Sequence, residues 1–130
     1  MPVAFNGLTI GSEYDRIYLA SRWGYKDWHA IGRGVVTPSR DNKIILFITK
    51  VKQKALTQYL DYFEDDLLYM EGERNHLSDA RILNSVNSND EIHLFYREIH
   101  HTSFTYYGRI YLATYRLFPD VPSKFVFSTS

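Results

Sequence analysis

Five consecutive apolar residues, Ile44-Ile45-Leu46-Phe47-Ile48, stand between Lys43 and Thr49. A run without alternation leaves no face for water, so it predicts a strand buried on both sides. Beyond it Lys50-Val51-Lys52-Gln53-Lys54 alternates, which places three lysines on one face of a continuing strand or around a loop. The helical period predicts a short amphipathic helix over residues 12–23, with Tyr14, Ile17, Tyr18 and Ser21 or Arg22 at helical spacing, Ser12 as N-cap and Gly24 as stop. A second helix is predicted over residues 78–86, with Ile82, Leu83 and Val86 facing inward. Residues 67–70 read as a short strand entering a Glu71-Gly72-Glu73 turn. Residues 91–98 and 104–115 read as the arms of a hairpin, and Pro119 and Pro122 break the chain before a last strand over 124–127. Strands dominate this order. The expected class is α+β, mainly β: a curved sheet or open barrel with one or two flanking helices.

The 130 residues fit one domain spanning 1–130, with no internal repeat or linker. The absence of cysteine excludes a disulfide scaffold, a thiolate zinc site and a cysteine nucleophile, and fits a reducing cytoplasm. No run approaches the ~20 apolar residues of a membrane helix, and the N-terminus lacks the features of a signal peptide, so a soluble, cytoplasmic protein with no membrane partner is expected. Fifteen basic and fifteen acidic side chains cancel, and the net charge alone argues nothing about nucleic acid. Their distribution changes that picture. Residues 22–54 hold eight basic side chains against two acidic, whereas residues 60–91 hold nine acidic against two basic. A chain polarised in this way presents a basic surface despite neutral totals, unless the two segments pair with each other.

Residues 59–79 combine three tyrosines with seven carboxylates and no lysine. Aromatic faces beside acceptors suit a pocket for a flat polar ring, because stacking supplies affinity while a carboxylate reads an amino edge. The same residues also suit a strand with core tyrosines and an acidic surface turn. Upstream, Gly32-Arg33-Gly34 follows Trp28, and glycines flanking an arginine allow a tight turn that pushes the side chain toward a phosphate or base edge. No motif supports catalysis: His-Glu-x-x-His, Gly-x-Ser-x-Gly, the phosphate loop and the dinucleotide fingerprint are all missing. His93 falls in an apolar strand and reads as packed, and His100-His101 falls in a turn. An acid and histidine site from Asp61, Asp79 and His76 is the one metal arrangement the sequence leaves open.

An ordered set of short motifs carries a resemblance. Gly32-Arg33-Gly34-Val35-Val36-Thr37-Pro38, Gln58-Tyr59-Leu60-Asp61, Leu68-Tyr69-Met70-Glu71-Gly72-Glu73, Ser78-Asp79-Ala80-Arg81-Ile82, Ile92-His93-Leu94-Phe95 and Phe104-Thr105-Tyr106-Tyr107-Gly108 together resemble the SRA-like modified-base readers of the PUA-like superfamily. The resemblance covers roughly residues 25–112 and is nearest to the DUF3427-type domains at the C-terminus of restriction helicases and to the McrA-like modification-sensing domains joined to HNH nucleases. It implies a crescent-shaped open β-barrel that flips a base from the duplex and holds it between aromatic rings. On that basis Tyr59 and Tyr69 are the stacking walls and Asp61 the base reader, with Tyr62 and Glu71 beside them in the pocket. Asp79 is implied as the acid opening the following helix. Backbone and flanking-base contacts fall to Trp28, Arg33, Arg40, Lys50, Lys52 and Lys54.

The function so implied is recognition of a modified base in double-stranded DNA, 5-methylcytosine or 5-hydroxymethylcytosine, by the specificity module of a prokaryotic modification-dependent restriction or defence system. No catalytic residue, metal or cofactor is assigned, and the partner beyond DNA is a nuclease or helicase domain or subunit. Three readings stand beside it: a phosphorothioate-DNA or RNA reader of the same fold, a small metal-dependent nuclease, and a protein-interaction module with an aromatic patch.

Overall fold

The computed structural model describes residues 3–38, 41–51, 62–72, 78–99 and 102–129. Among them the elements run in chain order as β1 (Glu13–Tyr14), α1 (Arg16–Arg22), a one-turn 3-10 segment (Trp28–Ile31), β2 (Val35–Val36), β3 (Lys43–Val51), β4 (Tyr62–Glu64), β5 (Leu67–Glu71), α2 (Asp79–Asn84), β6 (Glu91–Ile99), β7 (Phe104–Arg116) and β8 (Lys124–Ser128). The eight strands join in one sheet of order β2-β3-β6-β7-β8-β5-β4, with β1 added along β7. Within the described residues β2 and β4 stand at its two ends without pairing with each other, so the sheet is open, and the architecture is α+β and mainly β.

β3 is buried on both faces, as its unbroken apolar run requires. Ile44, Leu46 and Ile48 enter one core, while Ile45 and Phe47 enter a second. The first core lies between β3, β6, β5 and β8 and is closed by Ile82 of α2. The second lies on the other side of the sheet, beneath Val3, Leu19, Ala20, Trp23 and Ile31. β3 and β6 run parallel, with Ile44 opposite Ile92 and Phe47 opposite Phe95. A parallel pair needs a long crossover, and here β4, β5 and α2 lie within it.

β7 serves both cores because its alternation slips. Tyr106 stands opposite Phe95 and Gly108 opposite Leu94, which leaves Tyr107 as an extra residue. Gly108 has φ of +82°, a conformation that costs a residue with Cβ and that suits the bulge. Phe104 and Tyr106 therefore face the second core, while Ile110, although still an even-numbered position, faces the first.

Two expectations are corrected. α1 begins at Arg16, not at Ser12, because the Asp15 side chain accepts the Tyr18 N–H and residues 13–14 are drawn into pairing with β7. Its buried residues are Leu19 and Ala20, while Ile17 and Tyr18 are exposed. α2 ends at Asn84, so Val86 lies beyond it and is exposed. Gly24 does close the α1 turn, with φ of +82° and its N–H donated to the Ser21 carbonyl.

Candidate nucleic-acid interface

β5 alternates cleanly. Leu68 and Met70 are buried in the first core, and Leu67, Tyr69 and Glu71 take the opposite face and stay half-buried. The register carries that face across three strands: Tyr69 is opposite Val126, which is opposite Thr114, and Glu71 is opposite Lys124, which is opposite Arg116. A cleft of about 320 Å³ forms over this row, lined by Tyr69, Glu71, Tyr115, Arg116 and Lys124 among others. It combines the Tyr69 ring, one carboxylate acceptor and two cations, with Tyr115 lining it from the row opposite Phe125. Chemically this set can stack on a planar ring, accept from an amino group and hold an anion nearby.

The end of the cleft is braced from below. The Gly72 N–H donates to the Ser123 carbonyl at 2.7 Å, and the Ser123 hydroxyl donates to Asp79 Oδ2 at 2.7 Å. Asp79 is the first residue of α2, and Ser78 occupies the N-cap position without a side-chain capping bond. The acid implied as opening that helix thus ties α2 to the start of β8. A Cβ on Gly72 would lie 2.9 Å from Asp79 Oδ1 and 2.9 Å from Phe125 Cε2, so glycine is required there for space.

Tyr69 and Glu71 are brought together. The backbone of Tyr62 on β4 is in register with Tyr69. Tyr59, Asp61, Arg40, Lys52, Lys54 and His76 lie outside the described residues. Trp28 and Arg33 belong to another part of the molecule, near α1. Trp28 opens the 3-10 turn capped by Asp27 and stacks on His29 with centroids 4.2 Å apart. Arg33 is exposed, and its carbonyl accepts from Arg16. Neither glycine flanking Arg33 has positive φ, and a Cβ on Gly32 would make a tight contact of 3.1 Å with Cζ3 of the partly exposed Trp28 ring. Lys50 is exposed near the end of β3, with Nζ 4.0 Å from Glu98 Oε2. Glu64, Asp65 and Asp66 form an exposed turn between β4 and β5. Ion pairs between described residues join Lys43 to Asp41 and Arg81 to Asp90, each within its own charged segment.

His93 is packed, as its strand setting predicts. Nδ1 lies 2.8 Å from Tyr106 Oη and Nε2 3.0 Å from Glu91 Oε1, and the ring stacks on Phe5. Burial lowers the His93 pKa against the opposing hydrogen bond to the Glu91 carboxylate, while burial pushes the Tyr106 phenol up to about 12. Among the described residues no group of three or more His, Asp or Glu side chains is arranged to hold a metal ion, and no described helix is long and apolar enough to cross a membrane.

Tyr115, Arg116 and Lys124 complete the cleft without having been singled out in the sequence. Their signal is not local: Lys124 meets Glu71 only because β8 inserts between β5 and β7.

No family model matches the sequence, and no curated protein matches it. Among solved structures, the chain is partly similar to the DNA modification-dependent restriction endonuclease AspBHI, with a TM-score of 0.46 and 12% sequence identity. The match covers 73% of this chain and spans 60% of that protein.

Proposed function

We propose that the chain is a DNA-binding domain that reads a modified base, 5-methylcytosine or 5-hydroxymethylcytosine, flipped out of the duplex. In this reading it is the specificity module of a prokaryotic modification-dependent restriction or defence system, and cleavage belongs to a nuclease or helicase domain or subunit. The observation that carries the proposal is the meeting of Tyr69, Glu71, Tyr115, Arg116 and Lys124 in one cleft. Tyr69 stacks on the base, Glu71 accepts from its amino edge, and Arg116 and Lys124 take the flanking phosphates. The motif order that resembles SRA-like readers supports the same assignment.

The energies are compatible. Extracting a base costs a few kcal/mol, and stacking returns roughly 1–3 kcal/mol per base, so phosphate contacts supply the balance. The methyl group adds about 1 kcal/mol of apolar contact, which gives modest discrimination. A binding panel tests this. One duplex carries cytosine, 5-methylcytosine, 5-hydroxymethylcytosine or a phosphorothioate link, at two salt concentrations, against the parent and Tyr69→Ala. The variant is expected to lose about 5- to 150-fold in affinity for the modified duplex while unfolding as cooperatively as the parent. Equal binding of modified and plain duplex by both proteins would sink the proposal.

A further inference from the structure

The inward stripe of α1 contains a charge. Arg16, Leu19, Ala20 and Trp23 follow the i, i+3, i+4, i+7 spacing of one helix face, and the last three are buried in the second core. The Arg16 guanidinium lies 4.7 Å from the Phe47 ring centroid and 5.0 Å from that of Phe104. Arg97, from β6, lies 4.1 Å from the same Phe104 centroid. Two like charges therefore share one aromatic ring.

Both are held by neutral groups. Arg97 Nε donates to Thr49 Oγ1 at 2.7 Å and Nη1 to the Thr102 carbonyl at 2.8 Å, while Arg16 Nη2 donates to the Arg33 carbonyl at 3.2 Å. Among the described residues neither guanidinium is paired with a carboxylate, and Arg16 Nε is buried without an acceptor. Asp15 lies beside a cleft that both arginines border, but its side chain accepts the Tyr18 N–H. Burial, and then the Arg97 charge, hold the Arg16 guanidinium well below its ordinary value, at about 10, and burial lowers Arg97 as well. Both remain cationic at neutral pH. Aromatic faces offset part of the cost of two partly desolvated cations, and a counterion would offset the rest.

The two side chains border an open cleft of about 540 Å³ that also contains Ser103 and the partly exposed Trp28. We propose that this cleft is a phosphate-binding site in which Arg16 and Arg97 hold the anion and the Ser103 hydroxyl donates a further hydrogen bond. A phosphate fits better than a carboxylate because the N–H groups that Arg16 and Arg97 have not committed to Arg33, Thr49 and Thr102 can engage separate oxygens at once and match its charge. The cleft is larger than one phosphate and leaves room for the group it is attached to. The same chemistry is offered by a small phosphate compound or by the backbone of a strand. The site stands apart from the Tyr69 cleft, since Phe104 begins β7 and Arg116 ends it, and it holds whether or not that cleft reads a base.

The test is thermal unfolding of the full chain titrated with sodium phosphate, against sodium chloride at equal pH and ionic strength. The parent melts higher in phosphate. Arg97→Gln needs on the order of tenfold more phosphate for the same shift. Ser103→Glu places a carboxylate beside the pair, melts higher than the parent without phosphate, and no longer responds to it. Tyr69→Ala keeps the full response, which separates this site from the base cleft. A parent that shows no phosphate-specific shift, or Arg97→Gln and Ser103→Glu proteins that respond as the parent does, would overturn the site. A second arm identifies the source: if Arg97→Gln lowers the salt slope of plain-duplex binding by about one, the phosphate belongs to a strand, and an unchanged slope assigns a small phosphate compound.

Discussion

Gly72→Ala isolates the packing that braces the Tyr69 cleft. Gly72 does not have positive φ, so alanine meets no backbone penalty there and would by itself stabilise by about 0.4–1 kcal/mol through the unfolded chain. Against this stands the missing space. The new methyl would lie 2.9 Å from Phe125 Cε2 and 2.9 Å from Asp79 Oδ1, with the Ser123 carbonyl at 3.5 Å. Phe125 is 1% exposed, and the Asp79 carboxylate is held by the Ser123 hydroxyl, so neither neighbour can swing into solvent. Overpacking of this kind costs about 1–3 kcal/mol, and the net effect is a loss of about 1–2 kcal/mol. With an unfolding entropy of about 2.1 cal/mol/K per residue, that corresponds to a Tm lower by about 4–7 °C for a chain of this length. Gly34→Ala is the matched control, because its Cβ would meet only the Phe47 carbonyl at 3.8 Å. It should melt at or slightly above the parent. Thermal unfolding followed by near- and far-ultraviolet circular dichroism measures both. A Gly72→Ala protein as stable as Gly34→Ala would refute the steric account of this corner.

Two further outcomes concern the other side of the sheet. The His93 pKa is lowered in the fold, chiefly by burial, so above about 6.5 the ring is neutral in both states and contributes no pH dependence. Below that value the unfolded chain takes up a proton that the folded chain resists, and stability falls with falling pH. Glu91, whose pKa the hydrogen bond with His93 lowers most, extends the loss as pH drops through the carboxylate range. Urea midpoints between pH 5 and 7.5 should show this slope, and His93→Gln should flatten its upper part; an unchanged slope would reassign the effect. Asp15→Ala removes the 2.7 Å bond to the Tyr18 N–H and should cost about 1 kcal/mol in urea unfolding, since it removes the α1 cap.

Part of the fold was legible because burial on both faces has a plain signature. The run at 44–48 reads as a doubly covered strand, and β3 is one. The hairpin of β6 and β7 is also local and was read correctly. The parallel pairing of β3 with β6 was not legible, since neither strand carries a mark of its partner and the crossover between them holds two more strands and a helix. The bulge at Tyr107 was equally hidden, although Gly108 is the residue that marks it. Glycine in a strand suggests a bulge or a close approach, and only the register tells which.

The misreading of α1 bears on both clefts. Helical spacing fixes a period but not a phase, and residues 14–23 offer two stripes. The tyrosines favour one stripe, Tyr14, Ile17 and Tyr18. The fold uses the other, Leu19, Ala20 and Trp23, and that phase carries Arg16 inward with them. A guanidinium on an apolar stripe counts against that phase in any pattern argument, because burying a charge is unfavourable without a partner. The apparent inconsistency is therefore informative. That Tyr69 and Glu71 share a face could be anticipated because they alternate within one strand. Arg16 and Arg97 lie far apart in the sequence and meet across Phe104. A site that contradicts local pattern is held in place by tertiary packing alone, and its charges are the expense that a bound anion would relieve.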